Sequence, residues 1–119
     1  MASRKLRNAP PEMNSSQKMK TQLSITKRMI KEVAAYEKEV VTNEARIQKM
    51  RDEDKDPYDI RKQEEVLQES YMMVPDSKAR LEAAIEELRA AVEACEGDSS
   101  VNAAELAEAS QIIADAGTA

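Results

Sequence analysis

The sequence predicts an all-α protein, because its composition disfavours strands and its apolar residues recur at helical spacing. It has two glycines, four prolines, no phenylalanine and no tryptophan. Chains built from many short strands need glycine and proline in their turns and favour aromatic residues in their strands. Alanine, Glu, Lys, Arg, Gln and Leu are abundant instead, and these residues lose least on entering a helix. We therefore expect an antiparallel three-helix bundle or coiled coil with two long helices and a shorter third.

The first long helix is expected between Glu12 and Asp56, a stretch without glycine or proline. The polar run Asn14-Ser15-Ser16 leads into it, which leaves about 35 helical residues. Counting in sevens from Met19, and then three residues on, gives ten positions, of which seven are apolar. These ten positions are Met19, Thr26, Val33, Val40 and Ile47, with Gln22, Met29, Tyr36, Asn43 and Met50. This spacing predicts one apolar stripe that faces partner helices.

A charged run from Asp52 to Asp59 interrupts the pattern. Its alternating aspartates are similar to a calcium loop, but such a loop starting at Asp52 needs glycine at its sixth position and glutamate at its twelfth. Pro57 and Gln63 stand there instead. We therefore expect a short turn between helices, with Asp56 as the N-cap of the next helix and Pro57 as its first residue.

The second long helix is predicted by an apolar residue at every seventh position. The series is Ile60, Leu67, Val74, Leu81, Leu88 and Cys95. Pro75 lies inside it, and a proline within a helix removes one hydrogen bond and clashes with the preceding turn. Because the count continues unchanged from Val74 to Leu81, we expect one helix that is kinked at Pro75. Cys95 completes the apolar stripe and is expected to be a packing thiol.

A third helix is expected from Val101 to Ala116. Gly97 would end the second helix, the run Asp98-Ser99-Ser100 would cap the third, and Gly117 would end it. Residues 17–117 would then form one domain, preceded by a flexible basic arm at residues 1–16. Residues 1–31 hold eight basic residues and one acid, whereas the whole chain has a net charge of −5.

The third helix is too short to cover the whole groove between the other two. Connectivity places it beside the end of the second helix and the start of the first, where Leu23, Ile30, Ile85 and Val92 widen the apolar stripe. The other end would be a two-helix coiled coil around Val40, Ile47, Met50, Ile60 and Leu67. Two alternatives remain for Met72 and Met73: they meet a partner, or the kink turns them onto the first helix.

The composition excludes most familiar enzyme chemistry. Without histidine the chain has no Ser/His/Asp triad and no histidine zinc site, and one cysteine makes neither a zinc cluster nor an internal disulfide. Two distant glycines cannot build a phosphate-binding loop. We expect no catalytic residue, no cofactor and no metal, and no partnership with nucleic acid or membrane. One unpaired cysteine and the lack of an apolar signal segment favour the cytosol.

Several runs of residues closely resemble the tubulin-binding cofactor A family. In chain order they are Lys27-Arg28-Met29-Ile30-Lys31-Glu32, Tyr36-Glu37-Lys38-Glu39, Lys49-Met50-Arg51, Tyr58-Asp59-Ile60-Arg61-Lys62-Gln63, Leu67-Gln68-Glu69-Ser70-Tyr71-Met72-Met73-Val74-Pro75-Asp76 and Arg80-Leu81-Glu82-Ala83-Ala84. The resemblance covers roughly residues 18–93. Adjacent methionines followed by a proline inside a heptad helix make the fifth run specific. The basic arm and the alanine-rich tail depart from the family pattern.

The resemblance implies a cytoplasmic, cytoskeleton-associated chaperone without catalysis. Such a protein would hold β-tubulin after its release from the chaperonin, while other tubulin-folding cofactors assemble the αβ heterodimer. The matching positions implied to contact the partner are Lys27, Arg28, Tyr36, Glu37 and Lys38 in the first helix and Glu69, Tyr71, Met72 and Met73 in the second. The residues alone leave an alternative open, a coiled-coil adaptor that forms a homodimer through its two-helix end.

Overall fold

Three α-helices make up the computed structural model, which describes residues 14–118. They are α1 (Ser15–Asp52), α2 (Pro57–Ala94) and α3 (Ala103–Thr118). Between residues 14 and 118 there is no strand, so the all-α prediction is confirmed. None of the three helices is both long and apolar enough to cross a membrane. Most of the predicted arm lies outside the described residues, and its last two positions, Ser15 and Ser16, already belong to α1.

Asn14 caps α1 at its N-terminus. Its side-chain oxygen accepts a hydrogen bond of 2.8 Å from the backbone N–H of Gln17, and the Gln17 side chain accepts one of 3.1 Å from the backbone N–H of Asn14. This reciprocal capping box satisfies two amide groups that would otherwise lack partners. It explains why the helix begins at Ser15, before the first apolar residue of the stripe.

The heptad positions form the contact between α1 and α2, which we call the seam. All ten predicted seam positions of α1 are buried or half-buried, and so are all six of α2. The pairs Asn43–Ser70 and Thr26–Ala84 are in hydrogen-bonding contact, which shows that the two helices run antiparallel. Each has 38 residues and is about 57 Å long at 1.5 Å per residue.

The turn between α1 and α2 is stabilised by backbone and side-chain capping. The N–H of Lys55 donates to the Met50 carbonyl and the N–H of Asp54 to the Arg51 carbonyl, which is the bonding pattern of a Schellman motif. Asp54 adopts a left-handed φ of 52°, a conformation that aspartate tolerates better than most residues. As predicted, Asp56 is the N-cap of α2, where its side chain accepts from the N–H of Tyr58 at 2.9 Å, and Pro57 is the first helical residue.

The second helix is continuous through Pro75, as the uninterrupted heptad count predicts. Pro75 has no N–H, so it cannot donate the helical hydrogen bond to the Tyr71 carbonyl. One turn beyond, the Ser77 hydroxyl donates to the Val74 carbonyl at 2.9 Å. Both helical segments on either side of the proline keep their seam positions towards α1. The kink expected at Pro75 stays a prediction.

The connection to α3 differs from the prediction in its capping residues. The C-cap of α2 is Cys95, and Gly97 follows it with a left-handed φ of 79° in a turn closed by the Asp98 N–H and the Cys95 carbonyl. The cap of α3 is Asn102, whose side chain accepts from the N–H groups of Ala104 and Glu105.

The expected capping role of Asp98, Ser99 and Ser100 is therefore wrong. The Asp98 side chain instead accepts hydrogen bonds from the backbone N–H and the hydroxyl of Ser100, which closes a local turn. The third helix starts two residues later than predicted, at Ala103. It also continues through Gly117 to Thr118, so Gly117 does not end it.

The main hydrophobic core lies where α3 packs against α1 and α2. Its buried residues are Met19, Leu23, Leu88, Cys95 and Ala109, and they are surrounded by Ala91, Val92, Val101, Leu106, Ile112 and Ile113. The Cys95 thiol donates to the Ser15 carbonyl at 3.3 Å, so it joins the ends of α1 and α2. Because α3 has 16 residues, about 24 Å, it covers less than half of the seam, as predicted.

The remaining part of the seam contains buried polar residues. Asn43 donates from its side-chain nitrogen to the Ser70 hydroxyl at 2.9 Å, and Ser70 donates to the Val66 carbonyl at 3.2 Å. Ser77 is also buried. A buried polar pair contributes little net stability, but it penalises any register that separates the two partners. We call residues 40–70, which lie before Ser77, the two-helix half.

Leucine truncations at the two ends should differ in cost. Leu88 is fully buried under α3, so Leu88→Ala should lower the free energy of unfolding by about 3 kcal/mol. Leu67 is only half-buried in the two-helix half, so Leu67→Ala should cost less than half as much. Urea unfolding followed by circular dichroism measures both. Equal losses would contradict a core concentrated under α3.

Candidate partner-binding surface

The nine positions implied by the resemblance lie on the two long helices, and most of them are exposed. Lys27, Arg28, Glu37 and Lys38 of α1 and Glu69, Tyr71 and Met72 of α2 face solvent, whereas Tyr36 and Met73 are half-buried. Two contacts between the long helices show their register near these positions. Asn43 forms a hydrogen bond with Ser70, and Glu32 forms an ion pair with Arg80. This register places the α1 segment 36–40 across the seam from the α2 segment 71–77.

The structure therefore gathers six of the nine positions at the middle of the molecule. Tyr36, Glu37 and Lys38 come from α1, and Tyr71, Met72 and Met73 come from α2. They do not form a pocket, because the helices there pack directly through the seam. They form a surface that extends around both helices, which suits contact with a large partner better than enclosure of a small molecule.

Lys27 stands apart from this group because it forms an ion pair with α3. Its ammonium nitrogen lies 2.7 Å from a carboxylate oxygen of Glu108, and both side chains are about half exposed. An ion pair this exposed contributes little stability, but it is one of the contacts between α1 and α3. Sequence reasoning could not find Glu108 as its partner, because the pairing depends on where α3 lies.

Tyr71 interacts with Glu44 of the opposite helix. Its phenol donates a hydrogen bond to the Glu44 carboxylate, and the side chain is 41% exposed. Partial burial, followed by the negative charge and the hydrogen bond of Glu44, raises the pKa of the Tyr71 phenol. Glu44 also lines the shallow groove beside Tyr71 together with Arg51 and Glu64, which form an ion pair at 3.2 Å. No sequence pattern points to Glu44, because its partner is defined only by the register of the two helices.

The two adjacent methionines have different environments. Met72 is 71% exposed and faces away from the seam, whereas Met73 is half-buried beside it. The alternative that both methionines turn onto α1 is therefore wrong for Met72, whereas Met73 packs beside the helix pair. Contact of Met72 with a partner stays a prediction. Helical geometry accounts for the difference, since neighbouring residues are about 100° apart around the axis.

A second surface, which the sequence analysis missed, lies between α1 and α2 near the start of α1. It is a shallow groove without any lining residue from α3. Its lining includes Ile25 of α1 and Ala90, Ala91 and Ala94 of α2. Alanine is also a frequent filler of exposed helix positions, so its spacing alone did not distinguish a groove from an ordinary solvated face.

Comparison with known protein families matches residues 14–113 to the family described as tubulin binding cofactor A. The matched range includes α1, α2 and most of α3, so it is longer than the segment 18–93 recognised from the motifs. The chain belongs to the tubulin binding cofactor A family. Its alanine-rich third helix is thus included in the family match up to residue 113, although its composition differs from the expected pattern.

Relatives from animals and plants agree with this membership. Tubulin-specific chaperone A of Homo sapiens is 49% identical over 75 residues, which are 63% of this chain and 69% of the human protein. Tubulin-folding cofactor A of Arabidopsis thaliana is 38% identical over 103 residues, 87% of this chain and 91% of the plant protein.

Two solved structures share the fold. The crystal structure of tubulin folding cofactor A from Arabidopsis thaliana superposes with a TM-score of 0.75 at 36% identity, over 88% of this chain and 97% of that one. The structure of human tubulin chaperone cofactor A gives 0.67 at 39% identity, over 87% and 98%. The tubulin binding cofactor A fold thus covers almost the whole of the described chain.

Removing the charge of Glu44 should lower the pKa of Tyr71. In the wild type the raised pKa favours the protonated phenol in the folded state. The associated stabilisation is present below the ordinary tyrosine pKa near 10 and is lost as the pH rises through the folded value. In Glu44→Gln the midpoint should fall towards the ordinary value.

Alkaline titration of tyrosinate absorbance measures this midpoint, with the signal of Tyr71 obtained by subtracting the curve of Tyr71→Phe. Glu69→Gln is the matched control, because it removes a nearby carboxylate that does not act on Tyr71. An unchanged midpoint in Glu44→Gln would show that Tyr71 and Glu44 do not interact.

Proposed function

We propose that this protein is a tubulin-folding cofactor that binds β-tubulin after its release from the chaperonin and holds it for assembly of the αβ heterodimer. The observation that carries the proposal is membership in the tubulin binding cofactor A family over residues 14–113. The names of the human and plant relatives, a tubulin-specific chaperone and a tubulin-folding cofactor, support tubulin as the client. Other tubulin-folding cofactors would be indirect partners in the same sequence of steps.

The shape of the molecule supports a holding function without catalysis or cofactor. Its apolar side chains are concentrated in the seam and under α3, and its outward faces are long and largely polar. Such faces can make many weak contacts with a folded or partly folded client, each easily released. We place this activity in the cytoplasm, in association with the tubulin cytoskeleton.

The proposed contact positions are those gathered on the two long helices. They are Lys27, Arg28, Tyr36, Glu37 and Lys38 of α1 and Glu69, Tyr71, Met72 and Met73 of α2. Tyr71 and Met72 are the strongest of them on physical grounds, because aromatic and thioether side chains exposed beside each other bury much apolar area on binding. Lys27 is partly engaged within the molecule by its ion pair with Glu108, so it is the least available of the four exposed α1 positions.

Capture of newly translated tubulin tests the function directly. Immobilised protein is incubated with radiolabelled β-tubulin released from chaperonin, and in parallel with radiolabelled α-tubulin. We expect recovery of β-tubulin and little recovery of α-tubulin. Failure to recover β-tubulin would contradict the proposal, and equal recovery of both would contradict its specificity for β-tubulin.

The variant Tyr71→Gln, Met72→Gln, Met73→Gln should weaken β-tubulin binding about tenfold, because it removes the apolar contact at the centre of the surface. Val66→Gln is the matched control, since Val66 is an apolar residue of α2 with 40% exposure outside the proposed surface. Circular dichroism establishes that each variant is helical. Equal binding by the triple variant and the control would show that these three residues do not contact β-tubulin.

The alternative is a coiled-coil adaptor that dimerises through the two-helix half. The exposed Tyr58 and Val66 of that half favour it, since a second copy could bury them. Sedimentation equilibrium distinguishes the two functions: a homodimer that forms without tubulin and is lost in Val66→Glu supports the adaptor. A protein that stays monomeric at high concentration would contradict the adaptor function.

A further inference from the structure

The outward face of α1 carries positive charge without any negative charge. Between residues 20 and 49, the positions of α1 on the side opposite the seam are exposed. Their charged members are all basic, namely Lys20, Lys27, Arg28, Lys31, Lys38 and Lys49. We call this surface the basic face. It extends about 43 Å along the helix axis at 1.5 Å per residue.

Most of this charge is not neutralised within the described part of the chain. Lys27 pairs with Glu108 at 2.7 Å, and Lys49 lies 3.8 Å from Glu53. Lys20, Arg28, Lys31 and Lys38 form no ion pair with any residue between 14 and 118. Four like charges along one helix repel one another and lower the stability of that helix slightly. An oppositely charged partner would relieve this repulsion, so the basic face is suited to binding one.

The middle of the basic face is small and apolar. Ala34 and Ala35 lie between Lys31 and Lys38, and Val41, which is 66% exposed, follows one turn later. Alanines allow another helix to approach closely, and the valine offers an apolar contact two turns beyond Ala34. A partner that fits this face therefore needs both carboxylates and apolar side chains that pack beside Lys31 and Lys38.

The charge of the basic face contrasts with the rest of the molecule. The outward face of α2 is mainly acidic, with Glu65, Glu69, Asp76, Glu82, Glu86 and Glu93. The margins of the basic face also carry carboxylates, Glu32 and Glu39 on one side and Glu37 and Glu44 on the other. The unpaired positive charge is thus concentrated on one strip along α1, although Arg46 also lies on the margin with Glu32 and Glu39.

We propose that the basic face binds an acidic amphipathic α-helix of the client protein. The identification of that client as β-tubulin rests on the proposed function. Carboxylates of the client helix would pair with Lys20, Arg28, Lys31 and Lys38, and its apolar strip would lie on Ala34, Ala35 and Val41. The carboxylates at the margins fix the position of the client helix, because they repel its acidic side chains when it shifts sideways.

Two other occupants fit less well. A nucleic acid would bring phosphates against the carboxylates on both margins and would leave the apolar centre without a partner. A second copy would have to place its acidic α2 face on this basic α1 face. Such a contact joins two different surfaces and continues from copy to copy, so it leads to rings or open chains rather than a two-fold dimer.

Charge removal on the basic face tests the proposal. The variant Arg28→Gln, Lys31→Gln, Lys38→Gln should bind radiolabelled β-tubulin about tenfold more weakly and should lose most of its sensitivity to salt. The matched control Arg61→Gln, Lys62→Gln, Lys78→Gln removes three exposed cations from α2 and should bind as the wild type does. Glutamine keeps helix propensity, and circular dichroism checks the fold of both variants.

A second variant tests the shape of the client segment. Ala34→Gln, Ala35→Gln adds bulk at the centre without changing charge, so it should weaken binding at every salt concentration if a helix packs there. Unchanged binding by this variant would contradict a packed helix and would leave only an extended acidic segment.

The outcomes separate this proposal from the proposed function. If the wild type does not bind β-tubulin, the proposed function fails. If the wild type binds and the basic-face variant binds equally well, the proposed function stands and the assignment of this face is wrong. Binding of a 20-bp DNA duplex that is lost in the basic-face variant would overturn the proposal in favour of nucleic acid. Self-association lost in that variant would overturn it in favour of a second copy.

Discussion

The structure depends on one constraint, a narrow seam between two antiparallel helices. Without phenylalanine or tryptophan, the seam is filled by Met, Leu, Ile, Val and small polar residues. Such a seam buries only one stripe of each helix, and it is widened into a core only where α3 adds Leu106, Ala109 and Ile112. Most side chains of α1 and α2 therefore lie on outward faces. The same constraint that limits the core supplies the long surfaces available to a partner.

The two halves of the seam are stabilised differently. Under α3, the fully buried Leu88 and Met19 provide most of the hydrophobic stabilisation. In the two-helix half, Asn43 and Ser70 hold the register through a hydrogen bond of 2.9 Å, and Pro75 removes one backbone hydrogen bond at its edge. Lower local stability is therefore expected around the middle of the molecule. The proposed contact residues Tyr71 and Met72 lie there, so this surface can adjust to its client while α3 keeps the rest of the fold intact.

The sequence predicted the features that depend on local chemistry and missed those that depend on register. The heptad positions of both long helices, the cap at Asp56 and the burial of Cys95 follow from spacing and residue type, and all three are confirmed. Three capping residues in succession predict a cap at Asp98–Ser100, whereas the actual cap of α3 is Asn102. Ser70 lies outside the predicted apolar series of the second helix, yet it is buried opposite Asn43. The partners of Lys27 and Tyr71, Glu108 and Glu44, could not be predicted, because each contact joins two helices whose relative placement a sequence does not specify.

Family membership supports a tubulin-folding cofactor, and the distribution of charge favours our proposal that the client is held on outward helix faces rather than in a pocket. Acetylation of lysines with and without bound β-tubulin, read by mass spectrometry, measures which faces the client covers. Lys20, Lys31 and Lys38 on the basic face should be protected in the complex, whereas Lys62 and Lys78 of α2 should react as they do in the free protein. Protection of Lys62 and Lys78 with unchanged reactivity of the three α1 lysines would contradict the assignment of the basic face to the client.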